Sequence, residues 1–125
     1  MRLRLLSDRL AICRLDPANP APSWPSGSFV SITRTATELS IVCAESAIPE
    51  GVTASTGWRA LQVEGVLDFS LTGVLSSLAQ PLAAAGISIF SVSTYDTDTI
   101  LVRDADRAKA IDALAAAGHS IAGAS

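Results

Sequence analysis

The spacing of apolar residues changes period several times between residue 58 and the C-terminus, and each change marks an element. Residues 58–64 alternate, with Trp58, Ala60, Leu61 and Val63 set against Arg59, Gln62 and Glu64, which predicts a strand. Residues 71–85 place Leu71, Val74, Leu75, Leu78 and Leu82 at helical spacing, so one helix face is buried. Pro81 falls inside that pattern. It has no N–H to offer the Ser77 carbonyl, and a kink costing ~3 kcal/mol is expected unless packing accommodates it. Residues 87–92 and 100–102 read as strands flanking a polar turn from Thr94 to Asp98, where aspartates bond local backbone. Asp104 and Asp106 stand where acids favour a helix start. Ala108, Ile111 and Leu114 or Ala115 supply that second helix with a buried stripe, and residues 120–122 form a short edge strand.

Two junctions in this half are spelled almost alike. Ala83-Ala84-Ala85-Gly86-Ile87-Ser88-Ile89 recurs as Ala115-Ala116-Ala117-Gly118-His119-Ser120-Ile121. In each, an alanine-rich helix ends, a glycine takes the left-handed cap conformation, and a strand begins. The order from residue 58 onward is therefore β-α-β-β-α-β, a split unit with a four-stranded antiparallel sheet and both helices on one face.

The first half is less regular. Apolar segments 3–6 and 10–15 are broken by Ser7-Asp8-Arg9, which predicts a small hairpin or a bent strand. Pro17, Pro20, Pro22 and Pro25 make residues 16–27 a loop, with Trp24 plugging it onto the core. Residues 28–33 and 38–43 are strands rich in β-branched side chains, and Pro49 and Gly51 argue against a long helix in 46–56. The expected fold class is α+β: two ferredoxin-like (βαββαβ) units, the N-terminal one degenerate, with antiparallel sheets and helices on one face. Residues 1–57 form the degenerate unit and 58–125 the complete one.

Composition narrows the function. The net charge of −3, the lone lysine (Lys109) and scattered arginines leave no basic stripe, so nucleic acid is not an expected partner. No apolar run approaches the ~20 residues of a membrane span, and Asp8 and Arg9 interrupt what would be a signal-peptide core. A cytoplasmic location is expected, with Cys13 and Cys43 as small buried hydrophobes in a reducing compartment in preference to a disulfide. His119 reads as structural. There is no Gly-x-Ser-x-Gly elbow, phosphate loop, Cys–His pair or metal cluster, and Asp96, Asp98, Asp104 and Asp106 lack a calcium loop's spacing. An enzyme is not expected, nor a metal or other cofactor.

Two segments carry candidate chemistry. In Gly65-Val66-Leu67-Asp68-Phe69-Ser70-Leu71-Thr72-Gly73-Val74, Ser70 or Thr72 is positioned to cap a helix whose first N–H groups suit a carboxylate. An ordinary capped helix explains the same residues. In Phe90-Ser91-Val92-Ser93-Thr94-Tyr95-Asp96-Thr97-Asp98, hydroxyls alternate with an apolar face and Asp98 suits an ammonium or guanidinium; a solvated sheet face with a standard turn is the plainer alternative.

These segments, with Trp58-Arg59-Ala60-Leu61-Gln62-Val63-Glu64-Gly65, resemble the ACT domain, the amino-acid-sensing module of metabolic enzymes. They are most similar to short stand-alone ACT proteins related to the CASTOR arginine sensors and to the regulatory part of aspartate kinases, and residues 29–34 and 39–43 extend the resemblance over the whole chain. The resemblance implies a non-catalytic sensor, a homodimer holding a free amino acid between ACT units and acting on a regulated enzyme or protein partner. Carried over by motif, it nominates Ser70, Thr72, Gly73 and Val74 on one wall. The other wall, from a facing domain, is Ser93, Thr94, Tyr95 and Asp98. ACT helix starts commonly have proline-glycine after an acid; here Asp68 is followed by Phe69-Ser70-Leu71-Thr72-Gly73, without proline. The alternative is an interaction module of the same fold that binds no small molecule.

Overall fold

A computed structural model describes residues 1–123; the last two residues of the 58–125 span lie outside the described residues. The chain divides into two compact units: Ser7–Trp58, and Met1–Leu6 together with the chain from Arg59 onward.

In the second of these, the strands are β1 (Arg2–Leu5), the latter part of β5 (Thr53–Val63), β6 (Ile89–Ser93), β7 (Asp98–Arg103) and β8 (Ser120–Ala122), with helices α1 (Val74–Ala84) and α2 (Arg107–Ala116). This is the expected β-α-β-β-α-β order with one strand added. β1 does not form a hairpin with the strand that follows it; it lies between β5, which it meets antiparallel with Leu3 opposite Val63, and β8, which it meets parallel with Leu3 opposite Ile121. β7 bonds to both β5 and β6. The parallel pair and the fifth strand depart from the four-stranded antiparallel sheet expected. The physical reason is the alternation of β1: Leu3 and Leu5 are buried between exposed Arg2 and Arg4, so the strand has one apolar side to cover.

That side joins a continuous core. Leu3, Leu5, Leu61, Val63, Ile100 and Val102 from the strands meet Leu78 and Leu82 of α1 and Ala110 and Leu114 of α2, so both helices cover the same sheet face. The stripe of α2 keeps Ile111 and Leu114 as expected and replaces exposed Ala108 with buried Ala110; of the pair Leu114 or Ala115, Leu114 is the buried one. A 3₁₀ turn at Asp104–Asp106 precedes α2, so the first full helical turn begins at Arg107. Both helices end alike. Gly86 (φ 76°) and Gly118 (φ 96°) are left-handed. Gly86 N donates to Ala83 O and Ile87 N to Leu82 O; Gly118 N donates to Ala115 O and His119 N to Leu114 O. These are the paired bonds of a Schellman cap, and they account for the repeated spelling.

Arg59 is a buried cation in this unit. Its Nη2 donates to Leu6 O at 3.0 Å, its Nη1 lies 3.4 Å from Asp104 Oδ1, and its Nε has no partner. The side chain thereby ties the end of the first segment to the start of α2.

Ser7–Trp58 contains β2 (Leu10–Leu15), β3 (Ser31–Arg34), β4 (Leu39–Ala44) and the first part of β5. β2 pairs antiparallel with β4 and β5, and β3 with β4. Its described residues hold a 3₁₀ turn, Glu45–Ala47, where a full unit of this type has a helix. Cys13, Leu39, Ile41 and Cys43 form its core, with Trp24 packed against them, so the proline-rich loop is plugged as expected.

Both cysteines are free and buried. Burial, with the Cys43 thiol alongside, pushes the Cys13 pKa from 9.0 to about 11, and burial also raises Cys43. A raised thiol pKa stabilises the fold fully below pH 9.0, and that stabilisation is lost as pH climbs through about 11. The native protein should therefore resist an aromatic disulfide reagent at neutral pH, with both thiols reacting only on unfolding. Its Tm should fall as pH rises across that interval. Rapid labelling of native protein at neutral pH would contradict this burial.

Candidate functional site

The loop before α1 is shaped by Asp68. Its Oδ1 accepts the Ser70 N–H at 2.8 Å and its carbonyl accepts the Leu71 N–H at 3.0 Å. The hydrogen bonds from Ser70 hold the Asp68 carboxyl below its ordinary 3.8. This turn delays the helix by about one turn, so α1 begins at Val74 and not at Leu71. The N-cap position is Gly73, left-handed at φ 76°, and no side chain caps the helix. Neither Ser70 nor Thr72 caps α1, contrary to expectation: the Asp68 turn engages the backbone of Ser70, and Gly73 occupies the cap. The first intrahelical bond runs from Ser77 N to Gly73 O at 2.9 Å. The N–H groups of Val74, Leu75 and Ser76 therefore lie before it, at the positive end of the helix dipole.

Gly73 is required by backbone conformation and not by crowding, since a Cβ there would meet nothing within 4 Å. Gly73→Ala should cost about 1–2 kcal/mol, the left-handed penalty for a residue with a Cβ. A urea melt checks it: a loss of this size is expected, and an unchanged midpoint would show that this φ is not needed.

The opposite wall is the β6–β7 hairpin. Thr94 N and Thr94 Oγ1 both donate to Thr97 O, at 2.9 and 3.1 Å. Ser93 Oγ donates to Asp98 Oδ1 at 2.6 Å, and Thr97 Oγ1 donates to Val63 O at 2.9 Å. Two contacts fasten hairpin to loop: Leu67 N donates to Asp96 O at 2.6 Å, and the rings of Phe69 and Tyr95 meet edge to face, centroids 4.8 Å apart.

Between the walls lies a cleft of about 260 Å³, lined by Leu67, Asp68, Phe69, Leu71 and Val74 on one side and by Ser93 through Asp98 on the other. The structure thus brings Val74, Ser93, Thr94, Tyr95 and Asp98 together. Ser70, Thr72 and Gly73 shape the loop without lining the cleft. Both walls belong to the same unit, whereas the resemblance implied a facing domain for the second. Leu67, Asp68, Phe69, Leu71, Asp96 and Thr97 line the cleft but were not nominated as site residues from sequence. Their signal was weak: apolar residues and one acid in a polar loop, and the turn positions between two nominated residues.

Three carboxylates (Asp68, Asp96, Asp98) and no lysine, arginine or histidine line the cleft. Its volume is just below the roughly 300–1,000 Å³ of drug-sized sites, a size for a small metabolite. A carboxylate would find only N–H and O–H donors here and no cation, whereas an ammonium could meet Asp98 and the hydroxyls. A second cleft of about 470 Å³ lies across the same hairpin, lined by Arg4, Gln62, Glu64 and Thr97 among others. Its cation is committed, with Arg4 Nη2 3.1 Å from Glu64 Oε1. Among the described residues there is no group of three or more metal-binding side chains and no helix long and apolar enough to cross a membrane.

Comparisons with known proteins agree with this architecture. A structural-genomics target protein from Agobacterium tumefaciens is 45% identical, with a TM-score of 0.90 over 96% of this chain and 90% of that one. The ligand-free regulatory subunit of aspartate kinase from Thermus thermophilus shares the fold at 13% identity, with a TM-score of 0.63 over 90% of this chain and 94% of that one. The Clostridium acetobutylicum aspartate kinase does so at 12% identity and a TM-score of 0.64, over 92% of this chain and 34% of that enzyme. A family model of an N-terminal domain matches residues 8–51, and the ACT-domain model matches residues 53–116. With that match spanning the two helices, the cleft and half of its length, the chain belongs to the ACT-domain family.

Proposed function

We propose that this chain is a non-catalytic regulatory protein that binds a free amino acid in the cleft between the start of α1 and the β6–β7 hairpin. The observation that carries the reading is a cleft of about 260 Å³ in which Val74, the first residue of a helix that no side chain caps, stands with Ser93 and Asp98. In this reading the ligand carboxylate accepts from the N–H groups of Val74, Leu75 and Ser76, at the positive end of the helix. The α-ammonium donates to Asp98, which Ser93 already orients. Leu67, Phe69 and Leu71 cover the apolar part of the ligand. Family membership and the likeness to an aspartate kinase regulatory subunit support a regulatory role. The same reading includes the CASTOR-like sensor class, a homodimer and a regulated protein partner.

A second reading rests on a specific observation. Phe69, Leu71 and Tyr95 line the cleft and are exposed, Phe69 at 72% and Tyr95 at 79%. Apolar groups gathered in this way suit a protein partner as well as a ligand. Thermal-shift screening of the twenty amino acids separates the two. The sensor reading expects at least one to raise Tm specifically, because a ligand at 100 times its Kd stabilises by about 2.7 kcal/mol. No shift at millimolar concentration, together with a co-purifying partner, would favour the interaction module and overturn the sensor.

A further inference from the structure

Pro81 creates a defect in α1, and the only histidine of the chain sits on it. In an unbroken helix the Ser77 carbonyl would accept the N–H of residue 81; proline has none. α1 nevertheless runs as one element from Val74 to Ala84. The Nε2 of His119 lies 3.0 Å from that Ser77 carbonyl oxygen. A carbonyl only accepts, so Nε2 carries the hydrogen. The other ring nitrogen, Nδ1, lies 2.9 Å from the α-ammonium of Met1. An ammonium only donates, so Nδ1 is the acceptor. The two contacts independently demand the same neutral tautomer.

His119 reaches this place through the repeated junction. It is the residue after the left-handed Gly118, where the first copy has Ile87, and its own N–H is fixed to Leu114 O at 3.0 Å. Ile87 is buried in the core, whereas His119 is half-buried and turned toward α1. The neighbouring Ser120 N donates to Met1 O at 3.0 Å, so the imidazole stands where β8, β1 and α1 come together.

We propose that His119 is a clasp that replaces the backbone donor missing at Pro81 and so fastens α1 to the β8–β1 edge of the sheet. The two residues form one device: the proline frees an acceptor on the helix, and the imidazole draws the helix to the sheet through it. The clasp is independent of what occupies the cleft.

A double-mutant cycle tests the coupling. His119→Ala should lower Tm by a few degrees, the scale set by losing one hydrogen bond in a domain of this size. In Pro81→Ala, residue 81 regains an N–H for the Ser77 carbonyl, and the same His119→Ala change should cost no more than half as much. His119→Gln, whose amide can donate to that carbonyl, should recover most of the loss in the proline background. Equal losses in both backgrounds would overturn the clasp and leave His119 as ordinary packing. If His119→Ala does not fold, nitrogen chemical shifts of the imidazole in the unaltered protein decide the matter. The Nε2–H tautomer is the expected result, and a predominant Nδ1–H tautomer would refute the proposal.

Discussion

Truncating Leu82 to alanine is expected to destabilise the protein by about 2–5 kcal/mol, the cost of a cavity left by a fully buried leucine. Leu82 is 0% exposed and lies in the core with Leu78, Leu114 and Ile100. It also serves the helix end, because its carbonyl accepts the Ile87 N–H at 2.9 Å. The void would open where α1 meets the sheet, held on both sides by regular structure that cannot collapse into it. Against a total stability of about 5–15 kcal/mol, such a loss brings the chain near unfolding at physiological temperature. Leu71→Ala is the matched control. Leu71 is 52% exposed, although sequence periodicity placed it on the same apolar stripe, and its truncation should change stability by no more than about 0.5 kcal/mol. Urea melts followed by circular dichroism decide it. Similar losses at the two positions would mean that α1 packs in a different register.

Replacing Asp98 with alanine should weaken amino-acid binding by about 10–100-fold while leaving the fold intact. A hydrogen bond to a charged group is worth about 1.5–3 kcal/mol, and 1.4 kcal/mol is a factor of ten. Asp98 is half-buried, and its Oδ1 accepts from the Ser93 hydroxyl at 2.6 Å. Removing the carboxylate would take away the acceptor proposed for the ligand's ammonium, and it disturbs one side-chain bond of the hairpin. Titration calorimetry with the amino acid that stabilises the parent protein gives the affinity, and a melt gives the fold. Undiminished affinity would remove Asp98 from the site.

Much of the second unit was legible because its signals are local. The periodicity of 71–85 and 87–92 and the glycine after each alanine run depend on residues within a few positions of each other, and the fold follows from their order. What was not legible depends on distant pairing. β1 reads as half of a hairpin because Leu3–Leu6 and Leu10–Leu15 are adjacent in sequence, yet β1 bonds to strands some sixty and one hundred and twenty residues away, at Val63 and Ile121. Nothing local announces that choice. The late start of the helix had a visible cause in Asp68 and Gly73, but apolar Leu71 outweighed it. The site was legible as two segments and not as one cavity. The hydroxyls, Tyr95 and Asp98 could be named from the hairpin, whereas Phe69 and the 4.8 Å ring contact that joins it to Tyr95 are revealed only by the folded chain.

The claim that helix amides and the hairpin together hold an amino acid is tested most directly by amide NMR of the full chain during titration with each of the twenty. For at least one amino acid, saturable shifts should be concentrated at Val74, Leu75, Ser76 and the stretch from Ser93 to Asp98. If every amino acid leaves those amides unmoved at millimolar concentration, or moves only residues elsewhere, the cleft is not an amino-acid site.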